Sequence, residues 1–253
     1  MPDQKHCPDT HDRILDVAER LFMANGYEGT SMRMITSEAE VNLAAVNYHF
    51  GSKEALMREV FRRRLLWLNR ERIVLLDALE AAAAGAPLKP SQVLEAFFGT
   101  LLRMGEDPAL GGMVFLRLLG RTLTEPADFI RTFFAGEYAE VVERYKHALF
   151  RALPDVPQEE ILWRFHFMLG SMSYALAGTD VLEIVTGYEP GDAMATDPAA
   201  ARRLSARVMP FLLAGLRAPL PAPLASLSSP SATSGDSCDA PSGASSRVTP
   251  SPA

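Results

Sequence analysis

Between Thr30 and Leu56 the chain reads TSMRMITSEAEVNLAAVNYHFGSKEAL, and its polar side chains are of the kinds that hold nucleic acid. Arg33 offers a planar fork that matches a guanine edge or a phosphate. Asn42 and Asn47 each carry a donor and an acceptor on one side chain, as a base edge requires. Leu43, Ala44 and Ala45 lie between them, and the two alanines are small enough for close approach and contact with a thymine methyl. Ser31, Tyr48, His49 and Lys53 supply hydroxyl, imidazole and ammonium groups suited to phosphate oxygens, which fix register without reading sequence. A plainer reading stands beside this one: a lone histidine in a helix is commonly a capping or packing residue, and Tyr48 a partly buried aromatic. No nucleophile accompanies His49 at a suggestive spacing, so a catalytic base has little support.

The helices that must position these groups are readable around them. Ile14, Leu15, Ala18, Leu21 and Phe22 form a helical stripe that starts near Thr10 and stops at Asn25-Gly26. Thr30 or Ser31 caps a short helix with Met32, Ile35 and Ala39 inward, which stops near Glu40. Asn42 caps the next, with Val46 and Phe50 inward, and Gly51 ends it. Ser52 then caps a long helix with Glu54 in its first turn, anchored by Leu56, Val60 and Trp67. Three helices share a small core, and the tight corner between two of them is the arrangement that lays a helix in the major groove of DNA.

Thr30, Ile35, Ala39, Val41, Asn42, Tyr48, His49, Phe50, Lys53, Glu54 and Leu56, at this spacing, resemble the DNA-binding signature of the TetR family of transcriptional regulators. The resemblance covers about the first quarter of the chain. It implies that Ser31, Arg33, Asn42, Leu43, Ala44, Ala45, Asn47, Tyr48, His49 and Lys53 face DNA, and that the last two long helices form a four-helix dimer interface. One position departs from the pattern. Glu40 stands where the family usually has glycine, at an expected cost of about 1 kcal/mol in backbone strain that the fold tolerates.

The chain has 253 residues, 48% hydrophobic and 22% charged, with a formal net charge of -6. That balance suits a globular protein with a sizeable core and argues against one that coats nucleic acid indiscriminately. DNA binding must then rest on a local patch, built first from Arg33 and Lys53. Arg58 and the run Arg62, Arg63 and Arg64 are further candidates, although such a run is commonly a solvated face. Cys7 and Cys238 lie near opposite ends without ligand-like neighbours, so no disulfide or metal site is expected. The polar, acidic start MPDQKHCPDTHD and the lack of an apolar stretch long enough to span a bilayer point to a cytoplasmic protein with no membrane partner. No phosphate-binding glycine loop, metal-ligand spacing or nucleophile with its base is present, so neither an enzyme nor a cofactor is expected.

The whole pattern is all-α: residues 10–64 as a helix-turn-helix domain, residues 65–217 as a helical effector-binding and dimerisation domain, and residues 1–9 and 218–253 as disordered ends, the latter rich in Pro, Ser and Ala. Beyond an Ala-rich helix ending near Gly85, helices are expected from Pro90 to Met104, from the Asp107-Pro108 loop to Thr124, from Pro126 to Leu153, from Gln158 to Ala177, and from Ala199 to Leu216 with a bend at Pro210.

Gly170, Ser173 and Ala177 put small residues on one face, and Leu204, Val208, Phe211 and Leu212 form an apolar stripe. Both either line the intrachain core or pack on a second copy, as a two-fold DNA site requires. The middle helices are rich in methionine and aromatics, which serve either as core or as an adaptable pocket. Val114–Pro126 and Leu162–Gly178 are similar to fatty-acid-responsive repressors of the TetR family, which implies an apolar tunnel with a polar group near its mouth. Met104, Met113, Phe115, Phe134 and Trp163 are the candidate lining; Arg117 and His166 are the candidate polar groups, or else structural residues paired in the core. The reading is a homodimeric repressor of a palindromic double-stranded DNA operator, released by a fatty acid or acyl-CoA. The alternatives are a regulator of efflux or stress genes answering to an aromatic or drug-like compound, and a helical interaction module that never touches DNA.

Overall fold

The computed structural model describes residues 10–124, 128–178, 185–187 and 197–220, and its regular elements are all helical. They are α1 (Thr10–Gly29), α2 (Met32–Glu38), α3 (Leu43–Phe50), α4 (Lys53–Ala82), α5 (Pro90–Leu94), α6 (Thr100–Glu106), α7 (Gly112–Thr124), α8 (Asp128–Ala152), α9 (Gln158–Ala177) and α10 (Pro198–Leu216). The expectations for residues 1–9, for Pro126, for most of the loop before Pro198 and for the tail beyond Leu220 fall outside the described residues.

Three side-chain caps set the helix starts at the amino-terminal end. Ser31 Oγ accepts from the Met34 amide, Asn42 Oδ1 from the Ala45 amide at 2.7 Å, and Ser52 Oγ from the Ala55 amide. Each satisfies an amide that the helix itself leaves open, worth about 1 kcal/mol. Gly26, with φ 72°, kinks α1 one turn before its end, where the spacing expects the stop. Glu40 has φ 53°, so the corner between α2 and α3 does use the left-handed backbone that glycine adopts freely.

A single helix from Pro90 to Met104 is expected; the backbone instead slips into a π turn at Glu95–Gly99 between α5 and α6. Side chains take up carbonyls at this slip. The Thr100 hydroxyl donates to the Ala96 carbonyl, and Arg72 Nε donates to the Phe97 carbonyl at 3.0 Å. A 3-10 turn, Pro108–Leu110, follows α6 and leads into α7. There α7 lies close on α9: a β carbon at Gly120 would sit 2.5 Å from the Ala177 amide nitrogen.

The buried side chains run as one core from Ile14 to Leu216, and the described residues up to Pro219 form one compact unit. The boundary expected between residues 64 and 65 falls inside α4. That helix carries Leu56, Val60 and Phe61 under the amino-terminal helices and Leu68, Arg72 and Leu76 under the rest, so the two halves share a rigid strut. Among the described residues no helix is long and apolar enough to cross a membrane.

Candidate nucleic-acid interface and effector cavity

Only Val46 and Phe50 of α3 are buried; Leu43, Ala44, Asn47, Tyr48 and His49 face solvent, and Ala45 is half-buried. Tyr48 is 85% exposed, an unusual position for so large an aromatic unless something outside the chain covers it. His49 packs edge-on to His11, which in turn stacks on Phe50 with ring centroids 4.9 Å apart. Asn42 spends its oxygen on the α3 cap and keeps its NH₂ for a partner. Arg33 is exposed on α2; its carbonyl accepts from the Thr36 hydroxyl at 2.9 Å, and among the described residues no hydrogen bond or ion pair engages its guanidinium. Ser31 is exposed beside it, its hydroxyl held by the α2 cap.

Lys53 is placed differently from the expected phosphate anchor. Its ammonium donates to the carbonyls of Tyr27 (2.9 Å) and Thr30 (3.2 Å) and lies 4.1 Å from the centre of the Tyr27 ring. Thr30 Oγ1 donates to the Gly26 and Leu21 carbonyls next to it. Together they satisfy the open carbonyls at the end of α1, where a cation is also favoured by the helix dipole. Lys53 therefore fixes the start of α4 against the end of α1.

Arg58 and the arginine run are likewise engaged by carboxylates of the chain, Arg63 and Arg64 the more enclosed. Arg58 pairs with Glu54, and Arg62 pairs with Glu59 and reaches towards Glu137. Arg63 bridges Asp16 and Glu19, at 2.8 and 2.7 Å. Arg64 pairs with Glu19 at 3.0 Å and donates to the Ala109 carbonyl. The Glu19 side chain is only 4% exposed, so this cluster is an enclosed joint between α1, α4 and the 3-10 turn. Gly111 passes so close that a β carbon there would meet Glu19 Oε1 at 2.8 Å. A second tie runs from Arg121 of α7, whose Nη1 donates to the Met23 carbonyl of α1 at 2.6 Å.

An apolar cavity of about 250 Å³ lies between α4, the π turn, α7, α8 and α9. Phe97, Phe98, Leu101, Leu119, Phe134 and Met172 supply much of its wall. Its polar groups are the Ser173 hydroxyl, the Tyr138 phenol and the guanidinium of Arg72. Arg72 is 2% exposed; burial pulls its pKa down, opposed by Tyr138 and Tyr145. Burial pushes the Tyr138 phenol up in turn.

Of the candidate effector residues, Phe134 lies in this wall and the others lie elsewhere. Met104, Met113 and Phe115 are core residues, because the helical face they occupy packs against neighbouring helices. Arg117 is buried on α7 outside this wall, with its pKa drawn down by burial and then by Arg121. Trp163 and His166 are exposed on the outer face of α9. Sequence reasoning missed Arg72, although a signal existed: it interrupts the stripe Leu65, Leu68, Leu76 at an inward-facing position.

The proposed dimer residues also divide. Ser173, Ala177, Val208 and Leu212 are buried within the chain, Leu204 is half-buried, and Gly170 and Phe211 face outward. The outward apolar face of α9 is instead Trp163, Phe167, Gly170 and Tyr174, one turn apart, with the aromatics each at least half exposed. On neighbouring α10, Phe211 is 64% exposed.

Residues 14–60 match the bacterial regulatory proteins of the tetR family, and residues 95–215 match the tetracyclin repressor-like C-terminal domain. The HTH-type transcriptional regulator TcmR of Streptomyces glaucescens is 31% identical over 134 residues, 51% of this chain and 55% of that protein. The probable HTH-type transcriptional regulator YttP of Bacillus subtilis is 41% identical over 51 residues, 20% of this chain and 25% of that protein. The chain thus spans between a quarter and about half the length of these curated relatives. Among solved structures, the fold is similar to that of the ketosteroid transcriptional regulator KstR2 of Mycobacterium tuberculosis, with a TM-score of 0.52 and 17% identity over 81% of this chain and 96% of that one. With both its amino-terminal and its carboxy-terminal parts matched, the chain belongs to the TetR family of bacterial regulatory proteins.

Proposed function

We propose that this protein is a ligand-responsive transcriptional repressor that grips a palindromic operator as a homodimer and releases it when a small apolar effector enters the cavity. The observation that carries this reading is the outward set on α3: a short helix held by Val46 and Phe50 alone turns Leu43, Ala44, Asn47, Tyr48 and His49 to solvent. Asn47 and Asn42 supply hydrogen bonds to base edges, the alanines admit the groove wall, and Tyr48, His49 and Arg33 reach the phosphates. Burying Trp163, Phe167, Tyr174 and Phe211 against a second copy explains their exposure and sets two α3 helices on one duplex, with half-sites roughly 34 to 36 Å apart.

The cavity is small beside the roughly 300–1,000 Å³ of most ligand sites. Its volume and its phenylalanines favour a compact aromatic effector over the long-chain fatty acid or acyl-CoA that the sequence similarity implies. The physical route to release runs through α4 and α7, which wall the cavity and are also tied to α1 by the Glu19 joint and by Arg121. An effector that shifts these helices changes the separation of the two α3 helices, and a coupling of about 1–3 kcal/mol gives roughly 5- to 150-fold control.

The test begins with genomic fragments selected by the purified protein. Their affinity is measured by fluorescence anisotropy as salt is raised, and again with fatty acids and with compact aromatics. Tight, salt-sensitive binding that a compact aromatic weakens is expected. Indifference to all genomic DNA in dilute buffer would remove the reading altogether; release by fatty acids alone would reverse the choice of effector.

A further inference from the structure

Among the described residues, the cavity wall holds one cationic side chain and no anionic one. That side chain, Arg72, is engaged among the described residues only by neutral groups. Its Nε donates to the Phe97 carbonyl at 3.0 Å and its Nη1 to Asn69 Oδ1 at 3.4 Å, the Tyr138 hydroxyl bonds to it, and its plane lies 3.9 Å from the centre of the Phe97 ring. Two other enclosed arginines, Arg164 and Arg64, meet carboxylates: Arg164 has Glu160 at 2.7 Å, and Arg64 has Glu19 at 3.0 Å. A guanidinium does not shed its proton, so a buried one surrounded only by dipoles carries a desolvation cost that those dipoles repay in part.

The local backbone is built around this group. The π turn presents the Phe97 carbonyl to Nε and places the Phe97 ring under the guanidinium, while the Tyr145 hydroxyl holds the Arg72 carbonyl at 2.8 Å. These contacts fix the plane and engage three of the five guanidinium N–H groups, in a side chain that lines an otherwise apolar chamber; a carboxylate entering there would find hydrogen-bond donors in the remaining ones.

We infer that the effector is an anion, a compact aromatic carboxylate whose head pairs with Arg72 beside Tyr138 and whose ring lies among Phe98, Leu101, Phe134 and Met172. This rests on the reading of the cavity as the effector site, which it sharpens from apolar compounds in general to acids. The carboxylate supplies the charge that the described residues do not, and the matching neutral amide leaves Arg72 as it was.

Matched acids and amides separate the two claims: naphthoate and naphthamide, phenylpropionate and phenylpropionamide, indoleacetate and indoleacetamide, titrated calorimetrically into the full chain at neutral pH. In at least one pair the acid is expected to bind about tenfold or more tightly than its amide. Arg72→Met should abolish that preference while keeping amide binding, and Arg72→Lys should restore part of it. Equal binding of acid and amide overturns the anion while leaving the cavity in place. If no member of any pair binds, or if binding survives filling of the chamber by Leu119→Trp, the cavity reading falls and the anion with it. Should Arg72→Met fail to fold, the acid and amide on the unaltered protein still decide.

Discussion

Along α4, the amino-terminal half and the middle use arginine in opposite ways. Arg58, Arg62, Arg63 and Arg64 are each met by a carboxylate, and Arg63 and Arg64 converge on the enclosed Glu19. Two turns later, Arg72 is more deeply buried and meets carbonyl, amide, phenol and ring, but no carboxylate among the described residues. The first arrangement matches its charges within the chain and serves as a joint. The second leaves its charge without a counter-ion among the described residues, and under the inferred effector role a ligand carboxylate supplies one, so a joint and a receptor would be built from the same residue type on one helix.

The largest expected effect breaks the joint. Glu19→Ala leaves two partly enclosed guanidinium groups facing each other, at a cost of about 3 kcal/mol in folding free energy. Urea unfolding of the variant measures it. A loss below about 1 kcal/mol would mean that solvent screens the cluster and that the contrast with Arg72 is one of degree.

Next in size is the outward face of α9 and α10. Phe167→Glu combined with Phe211→Glu places charge where two copies are proposed to meet, and should weaken association by at least about 2 kcal/mol. Light scattering should report monomers at concentrations where the unaltered chain is dimeric, with helical content unchanged. A dimer that survives both changes would move the interface elsewhere.

Smaller, and more discriminating, is a pair of asparagines on α3. Asn47→Ala removes a solvent-facing group, so operator affinity should fall by about 1–3 kcal/mol while stability changes by less than about 0.5 kcal/mol. Asn42→Ala removes the cap at 2.7 Å from the Ala45 amide, so about 1 kcal/mol of stability should go as well. Paired thermal melts and anisotropy titrations separate the two roles, and equal melting temperatures for both variants would show that the cap adds little.

The amino-terminal helices were legible because their signals are local. Ser31, Asn42 and Ser52 cap amides three residues on, and the apolar spacing of Val46 and Phe50 fixes which face of α3 is outward. The span Gln158–Ala177 was legible for the same reason, with Pro157 before it and Gly178 after it. What was not legible depends on partners far along the chain. Lys53 meets carbonyls of Tyr27 and Thr30, Arg63 meets Asp16, and Arg72 meets Phe97; a basic residue on a helix looks the same whether it faces solvent, a carboxylate or a ring. Trp163 and Met104, both expected to line the cavity, lie instead on the outer face of α9 and in the core, for a similar reason. Periodicity names the stripes of a helix but does not say which stripe meets the core and which stays open.

The smallest expected effect is the sharpest. Arg72→Met replaces a buried cation that lacks a carboxylate with an apolar chain of similar length, and no opposing charge is stranded by the change. The hydrogen bonds to the Phe97 carbonyl, Asn69 and Tyr138 are lost, each worth about 1 kcal/mol net, while the desolvation cost of the guanidinium is lifted. The two nearly cancel, so without effector the variant should unfold within about 1 kcal/mol of the unaltered chain, or above it. Glu19→Ala, measured in the same urea series, supplies the scale. A loss at Arg72 as large as the loss at Glu19 would mean that both arginine sites are structural joints, and the distinction along α4 would disappear.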